Sequence, residues 1–235
     1  MQAYGFSKYG WRRVGGVVWR TTAGVVVFSM VVVLLLRWMA PPTSAFMVRQ
    51  RFSGMSVDYR WVPLKRMSPY AALAVISSED QNFFNHHGLD FDAIADAIED
   101  NKSRHRPRGA STISQQVAKN LFLWSGQSYI RKGLEVYFTM LMEILWPKQR
   151  ILEVYLNIAE MGRGVFGVEA AGRKFFGKPA GRLNMYEAAT LAAVLPSPRH
   201  MSADRPSYYV RQRTWQIIEQ MNALGGRGFL KSAGL

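Results

Sequence analysis

Hydrophobic and polar positions divide this chain into an apolar leader and a longer, mixed remainder. TTAGVVVFSMVVVLLL, residues 21–36, carries no charge. A helix of that length spans about 24 Å, slightly short of a hydrocarbon core of about 30 Å. Reading it back to Val14 closes the gap, with Arg20 able to snorkel. Trp11, Trp19 and Trp38 flank the run as interfacial aromatics do. So uniform a Val/Leu stretch has no amphipathic face and does not suit a buried core helix. The competing reading is a cleavable signal sequence with Thr43-Ser44-Ala45 as its best cleavage site, although the run is long for one. The pattern predicts a tail over 1–13, a transmembrane anchor over 14–39, a linker over 40–57 and one domain over 58–235.

From Asp58 onward the period is mostly that of helices. Ser68-Pro69 is an N-cap followed by proline at the first helical position, and it opens YAALAVISSED with Glu79 at the helix C-terminus. FDAIADAIED predicts a second helix with Phe91, Ile94, Ala95 and Ile98 on one face. The polar, basic loop Asn101–Gly109 follows. Ser111 or Thr112 can cap STISQQVAKNLFL. Tyr129–Trp146 predicts a long helix stopped by Pro147, and Lys148–Met161 another. Asn184 with Glu187 forms a capping-box start for MYEAATLAAVL. Asp204–Leu224 predicts a last helix, stopped by Gly225. Arg51–Leu64 alternates well enough for one extended segment or hairpin. The domain is predicted to be mainly α.

Charge refines this picture. Of 30 basic residues, Lys8, Arg12, Arg13, Arg20, Arg37, Arg49 and Arg51 precede Asp58, the first acidic residue; the remainder carries 23 basic against 16 acidic side chains. Lys8, Arg12, Arg13 and Arg20 favour a cytoplasmic N-terminus and an exported domain, whereas Arg37, Arg49 and Arg51 pull the other way. Such a basic surface suits nucleic acid, anionic lipid or phosphorylated substrates. Cysteine is absent, which excludes disulfides.

Four segments concentrate chemistry. EDQNFFNHHG (79–88) places Glu79 and Asp80 at a helix end, where the dipole disfavours a carboxylate and raises its proton affinity; a solvated turn explains the same residues. His86 and His87 do not make a zinc site, because adjacent histidines point apart and only His105 and His200 remain. GASTISQQVAKN (109–120) offers free N–H groups, hydroxyls and an ammonium at a helix start, suited to an anion or sugar-phosphate, or simply a capped polar helix. RKGLE (131–135) sets Arg131 and Glu135 four apart with Lys132 beside them, by default a surface pair. KQRILEVYLN (148–157) is amphipathic and reads as scaffold.

Together, in this order and spacing, the four resemble the motifs of the glycosyltransferase family that polymerises peptidoglycan, found in class A penicillin-binding proteins and in monofunctional biosynthetic transglycosylases. Glu79, Asp80, Phe83, His86 and Gly88 match E-D-x-x-F-x-x-H-x-G. The second segment matches G-x-S-T-I-x-Q-Q-x-x-K-N, the third R-K-x-x-E and the fourth K-x-x-I-L-E-x-Y-L-N. The similarity spans roughly residues 58 to 225.

The resemblance implies a lysozyme-like helical glycosyltransferase domain with a small membrane-proximal lobe, after one N-terminal transmembrane helix. It implies an undecaprenyl-pyrophosphate-linked glycan as donor, lipid II as acceptor, and a β-1,4 bond made with inversion. Glu79 is the expected base and Glu135 the second essential acid, which orients Arg131 and Lys132, holds a divalent ion on the pyrophosphate, or protonates the departing oxygen. Asp80, His86, Ser111, Thr112, Gln115, Gln116, Lys119, Asn120, Arg131 and Lys132 are expected to contact substrate, with Asp80 and His86 also positioning the base. Phe83, Gly88, Glu153, Tyr155 and Asn157 are expected to brace the site. No cofactor is required by the resemblance; Mg or Mn is compatible with it. The expected setting is the bacterial inner membrane, single-pass, with the domain on the periplasmic side, no nucleic-acid partner, and room for other cell-wall synthesis proteins. Ser-x-x-Lys, the transpeptidase nucleophile motif, is absent from the sequence, so strand lengthening without crosslinking is expected. Leu121–Tyr129 is apolar enough to dip into the outer leaflet or to sit in the core. The alternatives are a glycan-cleaving hydrolase or lytic transglycosylase, which needs no phosphate-binding cations, and a basic membrane-tethered scaffold.

Overall fold

The computed structural model describes residues 8–103, 110–126 and 128–234. The head of the 1–13 tail, most of the basic loop, His105 and Gly109 lie outside the described residues. The chain divides into two compact units, one ending at Met39 and one starting at Ala40. The first is helix α1 (Lys8–Leu36). Within it Gly15–Leu36, 22 residues, is long and apolar enough to cross a membrane. Two of its hydroxyls are satisfied within the helix: Thr21 donates to the Val17 carbonyl at 3.0 Å and Ser29 to that of Val26 at 2.8 Å.

The second unit opens with α2 (Ala45–Phe52), inside the stretch expected as linker. Ser44, of the candidate cleavage site, caps it by accepting from the Met47 N–H at 3.3 Å, and Met47 and Gln50 are buried. The extended segment expected over Arg51–Leu64 shrinks to β1 (Asp58–Tyr59). It pairs in parallel with a strand from far along the chain, a partner that alternation alone does not reveal. Next come α3 (Pro69–Glu79), α4 (Phe91–Ser103), α5 (Ile113–Phe122), α6 (Tyr129–Leu145) and α7 (Lys148–Ile158). Helix α7 ends three residues earlier than its pattern predicts, because β2 (Glu160–Gly162) and β3 (Val165–Phe166) form a hairpin there, giving the sheet order β1-β3-β2. Helices α8 (Val168–Phe176), α9 (Met185–Val194), α10 (Tyr208–Ala223) and α11 (Arg227–Ser232) complete the unit. Helix α10 starts at the Ser207 cap rather than at Asp204.

At the centre α3 and α9 lie against each other and against α10. Ala71, Ala72 and Ala74 of α3 and Ala188, Ala189, Ala192 and Ala193 of α9 are buried, and such small side chains let helix axes approach closely. Helix α5 packs between α6 and α7. Among the described side chains of α4 the buried one is Ala97, while Phe91 and Ile98 are 72% and 61% exposed, so its most apolar residues are not its covered ones. The described architecture is mainly helical, of the lysozyme-like class.

The motif on α7 explains how β1 and its approach are held. Asn157 is fully buried; its Oδ1 accepts from the Val62 N–H and its Nδ2 donates to the Val62 carbonyl, both at 2.9 Å, and to the Glu153 carbonyl at 2.8 Å. Glu153 accepts from the Leu64 N–H at 2.8 Å, and the Arg150 guanidinium lies 5.0 Å from the Trp61 ring centroid. The two side chains supply what a neighbouring strand would. Truncating Asn157 to alanine would strand both polar groups of Val62. We expect a loss of roughly 3 kcal/mol, about 6–12 °C in Tm for a domain of this size, measured by thermal denaturation in detergent.

Candidate active site

Helix α3 is capped at its start by Ser68, whose Oγ accepts from the Tyr70 N–H at 3.3 Å, and it ends on Glu79. At Asp80 the backbone swings out of the helix. The Asp80 carboxylate lands at the N-terminus of α5, accepting from the Ile113 N–H at 2.9 Å, where the helix dipole favours an anion. It also accepts from His86 Nε2 at 3.0 Å. His86 Nδ1 accepts from the Gly88 N–H at 3.0 Å, which fixes the proton on Nε2. Asp80 and His86 thus bind each other and the backbone.

Gly88 closes this loop. Its φ of +89° and its approach to α6, where a Cβ would lie 2.8 Å from Thr139 Cγ2, both require glycine. Its carbonyl accepts from the Thr112 hydroxyl at 2.6 Å. Thr112, not Ser111, is the N-cap of α5, in a capping box with Gln115, so the side chains of both are committed to protein partners. Phe83 is buried beneath the Lys148 ammonium, 4.6 Å from its ring centroid.

One turn into α5, Gln116 donates from Nε2 to Glu79 Oε2 at 2.8 Å, while its Oε1 accepts from the buried Tyr155 hydroxyl at 3.0 Å. The chain Tyr155–Gln116–Glu79 orients the carboxylate through neutral groups. Burial pushes the Glu79 carboxyl up from its ordinary value; the Gln116 hydrogen bond and the charges of Arg213 and Lys119 oppose this. Burial likewise pulls the Lys119 ammonium down, Glu135 and Glu79 working against it and Arg131 and Lys132 with it. Lys119 therefore feels both carboxylates.

On α6, Glu135 is 3% exposed. Its two oxygens accept from Arg131 Nη1 and Lys132 Nζ, each at 2.6 Å. This is a buried cluster with Lys132 at its wetter edge, not the surface pair that the spacing alone gives. Arg131 Nε has no protein partner.

Two cavities meet at Gln116 and Pro196. One, of about 720 Å³, holds Glu79, Ser111, Asp92, Asp96 and Arg213. The other, of about 370 Å³, holds Lys119, Asn120, Tyr155, Arg49, Arg199 and His200. Both linings are mostly uncharged, but the charged groups of the first are carboxylates apart from Arg213. Those of the second are Arg49, Lys119 and Arg199 against Glu160. Arg213, Arg49 and Arg199 escape sequence reasoning because none sits in a motif. For Arg213 the only signal is its place beside Thr214 in the buried row Val210, Thr214, Ile217, Met221. Among the described residues no three His, Asp or Glu side chains gather as a metal site. In Leu121–Tyr129, Leu121 and Leu123 are buried and Phe122 stacks on Phe138 at 4.5 Å, whereas Trp124 and Tyr129 are exposed; Gln127 lies outside the described residues.

Comparison with known proteins agrees with the motifs. A sequence model of the transglycosylase family matches residues 47–222. A biosynthetic peptidoglycan transglycosylase of Mannheimia succiniciproducens is 54% identical over 204 residues, 84% of either chain. Its namesake in Pseudomonas entomophila is 52% identical over 208 residues, 86% of this chain and 88% of that one. Another in Xanthomonas campestris is 49% identical over 211 residues, covering 87% and 86%. With most of its helical unit inside that match, the chain belongs to the transglycosylase family.

Proposed function

We propose that this chain polymerises the glycan strands of peptidoglycan. It moves a growing glycan from undecaprenyl pyrophosphate to the 4-hydroxyl of lipid II. The observation that carries the reading is the meeting, at Gln116 and Pro196, of the cavity that holds Glu79 with the cavity that holds Lys119. Lys119 lies in turn within the electrostatic reach of the Arg131–Lys132–Glu135 cluster. Glu79 removes the proton of the 4-hydroxyl as that oxygen attacks C1 of the donor sugar. The C1–oxygen bond to the pyrophosphate breaks with its electron pair, and a β-1,4 bond forms on the opposite face. Base catalysis of this kind contributes about 10²–10⁴-fold.

The opposed linings of the two cavities support a division of labour. Pyrophosphate carries too much negative charge for the carboxylate-lined side and suits the side of Lys119, with Arg131 and Lys132 behind it; arginine adds bidentate geometry. Glu135, both of whose oxygens are taken up by cations, serves as the counter-charge that holds Arg131 and Lys132 in place. Asn120 lies on the pyrophosphate side and Ser111 on the acceptor side. Thr112, Gln115, Asp80 and His86 act through the loop and cap they build, and Phe83, Gly88, Glu153, Tyr155 and Asn157 as braces. Both substrates carry polyprenyl tails, so a span at Gly15–Leu36 confines enzyme and substrate to one plane. We place the tail in the cytoplasm, the helical domain outside the inner membrane, and Trp124 and Tyr129 against the outer leaflet.

Detergent-solubilised protein incubated with labelled lipid II tests the reading. Polymer and free undecaprenyl pyrophosphate are expected, with purified glycan left intact. Cleavage of glycan with lipid II untouched would replace the proposal with a degradative activity.

A further inference from the structure

Two buried polar atoms, on residues that line the larger cavity, stand outside every network described above. Ser77, on α3 and 1% exposed, has an Oγ with no hydrogen-bond partner in the protein. Gln220, on α10, buries an equally unpartnered Oε1. Both residues line the 720 Å³ cavity that holds Glu79, and α3 and α10 pack side by side. A buried hydroxyl or amide left without a partner costs roughly 1–3 kcal/mol. A helical serine escapes that cost easily, by turning back to the carbonyl four residues earlier. Ser77 does not, although other buried or part-buried hydroxyls in the same unit do so or cap a helix, among them Thr139, Thr190, Thr214 and Ser68.

The chemistry of the lining limits what these atoms meet. Glu79, Asp80, Asp90, Asp92 and Asp96 face the space with Arg213 as the balancing cation, which repels an anion. A hydroxyl and an amide oxygen are uncharged, and they match a neutral ligand rich in O–H and N–H groups. We propose that Ser77 and Gln220 form a subsite that binds the ring substituents of the acceptor sugar, its hydroxyl and acetamido groups, beside Glu79. This inference rests on the acceptor occupying the Glu79 cavity and names the groups that bind it there.

The test separates the acceptor from the donor. A preformed glycan on undecaprenyl pyrophosphate serves as donor. The varied acceptor is a disaccharide lipid whose C1 phosphonate cannot depart, so each reaction adds one unit. For Ser77→Ala and Gln220→Leu we expect the acceptor KM to rise roughly 3–10-fold each, the yield of one neutral hydrogen bond, with kcat and donor KM within about twofold of wild type, the pattern of lost uniform binding. Ser77→Ala should also keep or raise Tm, since it deletes an unpartnered hydroxyl. An unchanged acceptor KM in Ser77→Ala, with its fold intact, overturns the subsite, as does a rise confined to donor KM. If Gln220→Leu fails to fold, the Ser77→Ala result decides alone. A wild type that extends nothing overturns the acceptor reading itself, a result distinct from a wild type that extends normally beside a variant with unaltered KM.

Discussion

Glu79→Gln is expected to lose polymerisation of lipid II by about 10²–10⁴-fold, the contribution of a positioned base, while folding normally. The amide is isosteric and can still meet Gln116, so a variant with wild-type Tm and no polymer isolates the proton transfer. The pH dependence gives an independent check. Burial raises the Glu79 pKa from 4.5, and the base acts only when ionised. The acid limb of kcat/KM should therefore lie above the ordinary glutamate range, and Gln116→Leu should move it higher still, because the Gln116 hydrogen bond is the largest influence opposing burial. Stability follows the reverse course. A folded pKa above the unfolded one means that the protonated carboxyl is favoured in the native state. Its contribution is full below the unfolded pKa and is lost as pH rises through the folded value. At neutral pH Glu79→Gln should thus be at least as stable as wild type. A variant that polymerises at more than a tenth of the wild-type rate would remove Glu79 from the role of base.

The second large effect is expected at Glu135. Replacing it with glutamine leaves Arg131 and Lys132 without their shared counter-ion and Lys119 with only Glu79 nearby. Loss of one partner from a buried pair costs about 3–5 kcal/mol. Lys132 is 47% exposed and recovers part of that by hydration, so roughly 3 kcal/mol is expected in chemical denaturation. The cations also lose their alignment on the leaving group. The fall in kcat/KM with lipid II should reach about 10²–10³-fold, as for loss of a group that stabilises transition-state charge. Near-normal kcat/KM in Glu135→Gln would show that the cations keep their places unaided.

What could be read from the sequence was what is decided locally. The caps at Ser68, Thr112 and Asn184 act within three residues of themselves; Ser68 and Asn184 are where the pattern puts them, and Thr112 is one of the two residues it offered for α5. The ends of α7 and α10, the hairpin of β2 and β3, and α2 and α8 depend on distant partners, and periodicity does not carry those. In α4 a helical period was visible, but a period does not say which face a neighbour will cover. The candidate site divides the same way. Glu79, Gln116, Lys119, Arg131 and Glu135 stand in ordered motifs. Ser77 follows directly on the apolar run of α3, and Arg213 and Gln220 lie on a helix whose pattern shows only its buried row. They matter because α3 and α10 are neighbours, a fact of tertiary packing.

The contact between Gly88 and α6 has a bearing on how the two carboxylates are kept in step. The loop after Glu79 is fastened to α5 through Asp80 and Thr112, and at Gly88 it rests on Thr139, one turn beyond Glu135. The bare backbone there acts as a gauge block, since its thickness sets how closely the loop that follows Glu79 approaches the helix that carries Glu135. Any side chain at that point would press on Thr139 and Glu143 and push the Glu79 loop away from α6, with Glu79 and Glu135 themselves unaltered.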